Sequence, residues 1–470
     1  MCVRYYFMQK IFLLIALIIA LTGCIEDGFT TSPSDQPLFS VDTLKLGTVF
    51  TDEATTTHRF TVRNPHSKQI SISDISLSGD AADYFRLNVD GISGRRFNNV
   101  EIRGKDSIFV FVEATLPEGS KPLSDFEAKV NFTTNGVTRD VVITAAGQNV
   151  NRLRAVTLTE DTHFDSALPY QVFDSLVVSP GITLTISPGT QLYFHDKSML
   201  IVRGRLIAEG SVEAPINMTG DRTGNVVGDI SFDLMSRQWT GVFFTSTSTK
   251  NVLSHVSLRN TTQGVTLDGN PQSGDTQLTL VNTRLRNSGG LVLEAYHSNI
   301  DATGCEFAEA SDGLVYLQGG RYNFTHCTFA NYYLFTAIGG PAVQFAHISA
   351  DEKTGLDDGS GLPYTQATFV NSIIYGNGTD LSHGDLTGTG ITMRRCLLKS
   401  KGGDDDNFIE CIWDTDPLYY TVRSDYYFDY RVKPDSPAIG AGEATDAPAD
   451  WYGTTRAGTL GAYEFTSPEE

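Results

Sequence analysis

Six residues, His255, Asn282, Gly304, His326, Asn371 and Arg395, each stand directly before a small or modest residue: Val256, Thr283, Cys305, Cys327, Ser372 and Cys396. Two positions further on comes a large apolar residue: Leu258, Leu285, Phe307, Phe329, Ile374 or Leu398. Between them lie Ser257, Arg284, Glu306 and Thr328. If these lines stack, His255, Asn282, Arg284 and His326 form a polar surface suited to the hydroxyls of a carbohydrate. His326, Arg284 and Glu306 would also bring a base, a cation and a carboxylate together. A polysaccharide lyase needs such a set, because a base must take the proton beside a uronic carboxylate while a cation neutralises that carboxylate. No motif of fixed spacing assigns these roles, and Gly304 and Leu397 interrupt the polar columns. The competing reading is an ordinary solvated face, since polar residues must lie outside somewhere.

A second candidate is the run Asp404-Asp405-Asp406 after Gly402-Gly403. Oxygen-rich loops hold Ca²⁺, so Ca²⁺ is the candidate ligand of this run. The spacing is not that of an EF-hand, and consecutive side chains diverge. The polar insertion with Asp351-Glu352-Lys353 and Asp357-Asp358 would overhang the same groove.

The elements that position these residues follow from the repeat. Copies recur at roughly 22 to 27 residues, within the solenoid range, and contain strand-like runs with no helical periodicity. A strand-only repeat of that length predicts a parallel β-helix with one coil per repeat and coils about 4.8 Å apart. Strand parity then sends both the small and the large apolar columns inward. Cys305 and Cys327 fall on adjacent coils, close enough to bridge, but stacking alone explains them and free thiols are expected. Asn260, Asn287 and Asn331 are expected to form a corner ladder of mutually bonded amides.

Trp239-Thr240-Gly241-Val242, with the tail Asp429-Tyr430-Arg431-Val432, Ser436-Pro437-Ala438-Ile439-Gly440, Arg456 and Gly461-Ala462-Tyr463-Glu464, resembles exported bacterial right-handed parallel β-helix repeat proteins. That fold is shared with polysaccharide lyases and pectinases. The resemblance implies a C-terminal cap over the open end of the solenoid, with Trp239, Trp451 and Arg456 as packing residues.

Upstream, Phe60 to Asn64, Ile70-Ser71-Ile72, Ile108 to Val112 and Val130-Asn131-Phe132 alternate in the manner of a β-sandwich. With Leu46-Gly47-Thr48-Val49 and Phe132 to Gly136, this stretch resembles the immunoglobulin-like domains of the abnormal-spindle and hydin type, which act as spacers and interaction modules. The N-terminus has Arg4 and Lys10, then an apolar run from Ile11 to Leu21, the pattern of a signal peptide. Leu21-Thr22-Gly23-Cys24 resembles a bacterial lipobox, which implies lipid attachment at Cys24 and anchoring in membrane lipid through its acyl chains. Ile25 in place of Asp favours the outer membrane, facing the periplasm or the cell surface.

The expected organisation is therefore a signal peptide over 1–23, a flexible tether over 24–37, an immunoglobulin-like sandwich over 38–150 and a right-handed parallel β-helix with cap over 151–470. A formal charge of −20 on 470 residues disfavours nucleic acid as a partner. The expected function is binding of an extended carbohydrate, or adhesion, through the β-helix face; the alternative is a polysaccharide lyase or glycoside hydrolase working in its groove.

Overall fold

The computed structural model describes residues 28–227, 230–348, 361–382 and 385–467. The signal segment, Cys24 and the insertion carrying Asp351 to Asp358 lie outside them. Among the described residues no helix is long and apolar enough to cross a membrane. The chain is all-β and divides into two compact units between Gln148 and Asn149.

In the first unit, alternation of apolar and polar residues produces two five-stranded sheets. One has the order Leu38–Phe39, His58–Arg63, Ser107–Ala114, Phe85–Val89, Ile92–Gly94; the other runs Thr43–Phe50, Val137–Gln148, Leu123–Thr134, Ile70–Ser78, Arg96–Ile102. Phe60, Val62, Ile72, Val110, Val130, Phe132 and Ile143 are buried between them. Asn135-Gly136, both at positive φ, turns the long hairpin of this unit with the backbone twist that two-residue hairpin loops prefer. Residues 28–37 do not behave as the expected loose tether. Thr30 donates its backbone N–H to Gln69 O at 2.9 Å, and the Gln36 amide donates to Thr134 O at 2.9 Å, so this segment is fastened to the sandwich.

The second unit is a parallel β-solenoid. One sheet passes from Gln191–Phe194 through Ile216–Gly220, Val256–Arg259, Arg284–Ser288, Glu306–Ala310, Thr328–Ala330, Ile373–Ile374 and Leu397–Leu398 to Ile412–Trp413, every pairing parallel. A second contains Gly241–Phe244, Val265–Asp268, Val343–Ala346 and the first halves of Leu293–Thr303 and Val315–Thr325. A third contains Asn251–Ser254, Leu278–Val281, the second halves of those long strands, Gln366–Val370 and Gly390–Arg394. The three sheets enclose one continuous apolar core.

The inward columns follow the parity of the repeat. Val256, Thr283, Cys305, Cys327, Ser372 and Cys396 are fully buried, as are Leu258, Leu285, Phe307, Phe329, Ile374 and Leu398. Phe307 and Phe329 stack with centroids 4.9 Å apart and planes 8° off parallel. Such a pair adds about 0.5–1.5 kcal/mol beyond its buried area. Cys305, Cys327, Cys396 and Cys411 are free thiols. Trp239 is a packing residue, stacked 3.9 Å from Phe194 with its indole N–H on Arg259 O at 2.8 Å.

Two expectations are corrected. The amides of Asn260, Asn287 and Asn331 bond to backbone instead of to each other. Asn260 and Asn287 both donate to Asp233 O at 2.8 Å, and Asn331 donates to Ala310 O at 2.9 Å. The rung between Asn287 and Asn331 carries Glu309 at this position, because Arg286 pairs with Ala308 and Ala308 with Ala330. The tail is not confined to the solenoid's end. It runs back along the flank, with contacts from Ala441 at Arg395, Glu443 at Asn371, Thr445 at His326 and Ala449 at Asn282.

Candidate functional site

His255, Asn282, Gly304, His326, Asn371 and Arg395 share one backbone state. Each has a φ between +43° and +68°, the left-handed bend by which these six rungs turn from the third sheet into the first. An L-residue with a side chain is uncommon there, and Asn tolerates it best because its short amide bonds locally. The column is thus real, and its first cause is the corner of the coil.

The side chains of this column are taken up by the tail. Asn282 Nδ2 lies 3.3 Å from His255 Nε2 and donates to Ala449 O at 2.8 Å. Asn371 lies 3.1 Å from His326 Nε2, donates to Glu443 O at 2.8 Å and accepts the Glu443 N–H at 3.0 Å. His326 Nε2 also meets Thr445 Oγ1 at 3.1 Å. His326 and Asn282 are buried, and the His255 ring is half-buried 5.8 Å from Trp451. Burial, reinforced by the cationic Arg456, pushes the His326 imidazole down to about 4; burial also lowers His255. At neutral pH His326 is an uncharged, sequestered imidazole.

The adjacent column tells the same story. Glu306 is fully buried, held by both nitrogens of an Arg286 fork, one at 2.6 Å, and by the Tyr463 hydroxyl. Arg284 donates to Tyr463 Oη at 2.8 Å, and its guanidinium lies over the rings of Trp451, Tyr463 and Tyr452 at 4.1, 5.1 and 5.2 Å. Glu309 receives a hydrogen bond from the Tyr430 hydroxyl; burial first, with the charge of Glu306 adding to it, pushes this carboxyl up to about 8. A cluster of Arg284, Arg286, Glu306 and Glu309 is therefore sealed between the first sheet and the tyrosines of residues 419–463. Such a network is costly to break, about 3–5 kcal/mol when one partner of a buried ion pair is lost.

The structure thus brings His255, Asn282, Arg284, Glu306 and His326 to one flank, as expected, but beneath the chain's own C-terminal segment, with Asn282, Glu306 and His326 buried and His255 and Arg284 half-buried. The open groove is the corrected part of the expectation. Arg286 and Glu309 were missed. Arg286 follows Arg284 by two in the same strand and was legible from parity; Glu309 gave no signal of its own.

The acidic loop is corrected as well. Asp405 Oδ1 accepts the backbone N–H groups of Asn407 and Phe408, both at 2.8 Å. Asp404 Oδ1 accepts the Cys411 N–H and the Trp413 indole N–H, both at 3.2 Å. These carboxylates fold their own turn, while Asp406 is exposed. Among the described residues no three His, Cys, Asp or Glu side chains converge for a metal ion.

No protein-family model and no curated protein matches this chain. Solved structures give partial likenesses. A protein of unknown function from Porphyromonas gingivalis W83 is 12% identical, with a TM-score of 0.18, over 24% of this chain and 48% of that one. The ASH/PapD-like domain 7 of human CEP192 is 13% identical, with a TM-score of 0.18, over 27% of this chain and 94% of that one. The periplasmic chaperone SfaE is 9% identical, with a TM-score of 0.17, over 24% of this chain and 57% of that one. The chain spans about half the length of the first of these, and each likeness covers about a quarter of this chain.

Proposed function

We propose that this is a lipid-tethered protein of the outer membrane or cell surface, anchored through Cys24, that binds an extended carbohydrate on an outer face of its solenoid without cleaving it. The observation that carries the non-catalytic reading is the burial of His326 and Glu306 under residues 443–463. A lyase or hydrolase working in that groove lacks the solvent-facing base and cation it needs. The second sheet offers the better platform. Glu294, Tyr316 and Gln344 form one outward column, and Tyr296, Gln318 and Ala346 the next. The rings of Tyr296 and Tyr316 lie 5.6 Å apart, and the Tyr316 hydroxyl is fixed on Gln318 Oε1 at 2.7 Å. Immobilised half-buried rings flanked by amides and a carboxylate suit sugar stacking with hydroxyl recognition.

The test is affinity electrophoresis of the protein in gels containing neutral or acidic polysaccharides. Unsaturated-uronate absorbance and reducing ends are followed in parallel, with and without Ca²⁺. Retardation without product, lost in Tyr296→Ala/Tyr316→Ala, is expected. Product that disappears in His326→Ala would overturn the non-catalytic reading.

A further inference from the structure

In the first unit, the strand Ser107–Ala114 breaks the rule that a half-buried strand is apolar on one face only. Ile108, Val110 and Val112 are buried, yet the alternate positions are Phe109 and Phe111, and Phe109 is 45% exposed. Those two rings lie 6.1 Å apart, with the Arg59 guanidinium 4.9 Å over Phe109. The neighbouring strands add Thr61 and Arg63 on one side, and Arg86 and Asn88 on the other. A cleft of about 590 Å³ opens beside this stripe, lined by Arg86, Asn88, Ser93, Arg95, Phe111 and Glu113.

Its charges are only partly engaged within the protein. Arg95 is paired with Asp83 at 2.5 Å, and Glu113 accepts from the Thr57 hydroxyl at 2.6 Å. Arg86 lies directly across the ladder from Glu113 but forms no ion pair with it among the described residues. Arg59, Arg63, Arg86 and Arg95 stand on or beside this stripe with Asp83 and Glu113, giving an arginine-rich, aromatic patch on a chain of net charge −20. Asn88, whose amide donates to Ser93 Oγ at 3.1 Å, supplies oriented polar groups at the rim.

We infer that this cleft is a second binding site, for an acidic oligosaccharide: pyranose rings lie on Phe111 and Phe109, and a uronate carboxylate is taken by Arg86. Rings and amides alone would suit a neutral sugar; the unspent arginine selects the acidic one, because a guanidinium meets a carboxylate with two parallel hydrogen bonds. The net negative charge of the chain acts at long range only, and at physiological salt charges are screened beyond about 8 Å, so the patch decides at contact. This site lies on the sandwich and does not depend on the solenoid platform.

The experiment is calorimetric titration of the protein with hexagalacturonate and with mannuronate and glucuronate oligomers; maltohexaose and phosphatidylglycerol vesicles are the controls. At least one uronate oligomer is expected to bind, with affinity falling tenfold or more in Arg86→Ala, falling again at raised salt, and unchanged in Tyr296→Ala/Tyr316→Ala. Arg86 is an exposed surface residue, so its variant reads the site without loss of fold; Phe111→Ala is the second variant. The inference is overturned if none of the uronates binds, if maltohexaose or the vesicles bind as well as the uronates, or if Arg86→Ala binds like the parent.

Discussion

Gly304 makes room for Arg456: a β-carbon on Gly304 would lie 2.8 Å from Arg456 Nη2 and would collide with Asn282 Oδ1. From this gap Arg456 donates to Gly461 O at 3.2 Å and Ala462 O at 2.9 Å, tying the tail's return to the corner column. The interruption of a polar column is thus a seat for a distant cation.

Gly304→Ala is expected to destabilise the solenoid by about 1–3 kcal/mol, combining a β-carbon at φ +68° with displacement of Arg456. Urea denaturation gives the loss. Accelerated tryptic cleavage at Arg456 would localise it, and an unchanged cleavage rate would argue against the seat.

Phe329→Ala removes a ring stacked on Phe307 and packed 5.7 Å from Phe369. A loss of about 3–5 kcal/mol is expected, with Phe329→Leu costing less. A loss under 1 kcal/mol in the alanine variant would mean that the rungs do not stack as described.

The inward columns were legible in the sequence because parity and burial obey one rule along a strand. Phe307 over Phe329 follows from two aligned lines of residues. The corner column was legible as a column, but its purpose was not. Its contacts come from a segment with no period, such as Thr445, 119 positions beyond His326, or Tyr463, 179 beyond Arg284. Irregular chain has no hydrophobic pattern that names its target. The left-handed bends were hidden because His, Asn and Arg at these positions look like ligands, and only Gly304 hinted at backbone geometry.

His326 makes stability depend on acidity. Between pH 6.5 and about 4 the unfolded chain binds a proton that the folded imidazole refuses, so stability falls as pH drops through that window. The slope is at most about 1.4 kcal/mol per pH unit. In His326→Gln, denaturation midpoints measured from pH 7 to 4 should show a shallower decline than in the parent. An identical slope would show that this imidazole is not sequestered.

Glu309 acts in the opposite sense. Its carboxyl, pushed up from 4.5 to about 8, holds a proton in the folded chain that the unfolded one has released, so stability falls as pH rises through that range. Glu309→Gln keeps a neutral acceptor for Tyr430 and should flatten the loss between pH 5 and 8, where the parent's slope is at most about 1.4 kcal/mol per pH unit. Parallel curves for variant and parent would contradict a buried, protonated acid.

The covering of the corner column by residues 441–463 is tested most directly by the reactivity of two histidines. At pH 7, diethyl pyrocarbonate mapped by mass spectrometry should modify His195, whose side chain is 49% exposed, and leave His326 untouched until the chain is denatured. Modification of native His326 at the rate of His195 would mean that this flank is open to solvent, and would return the groove to contention as a site of catalysis.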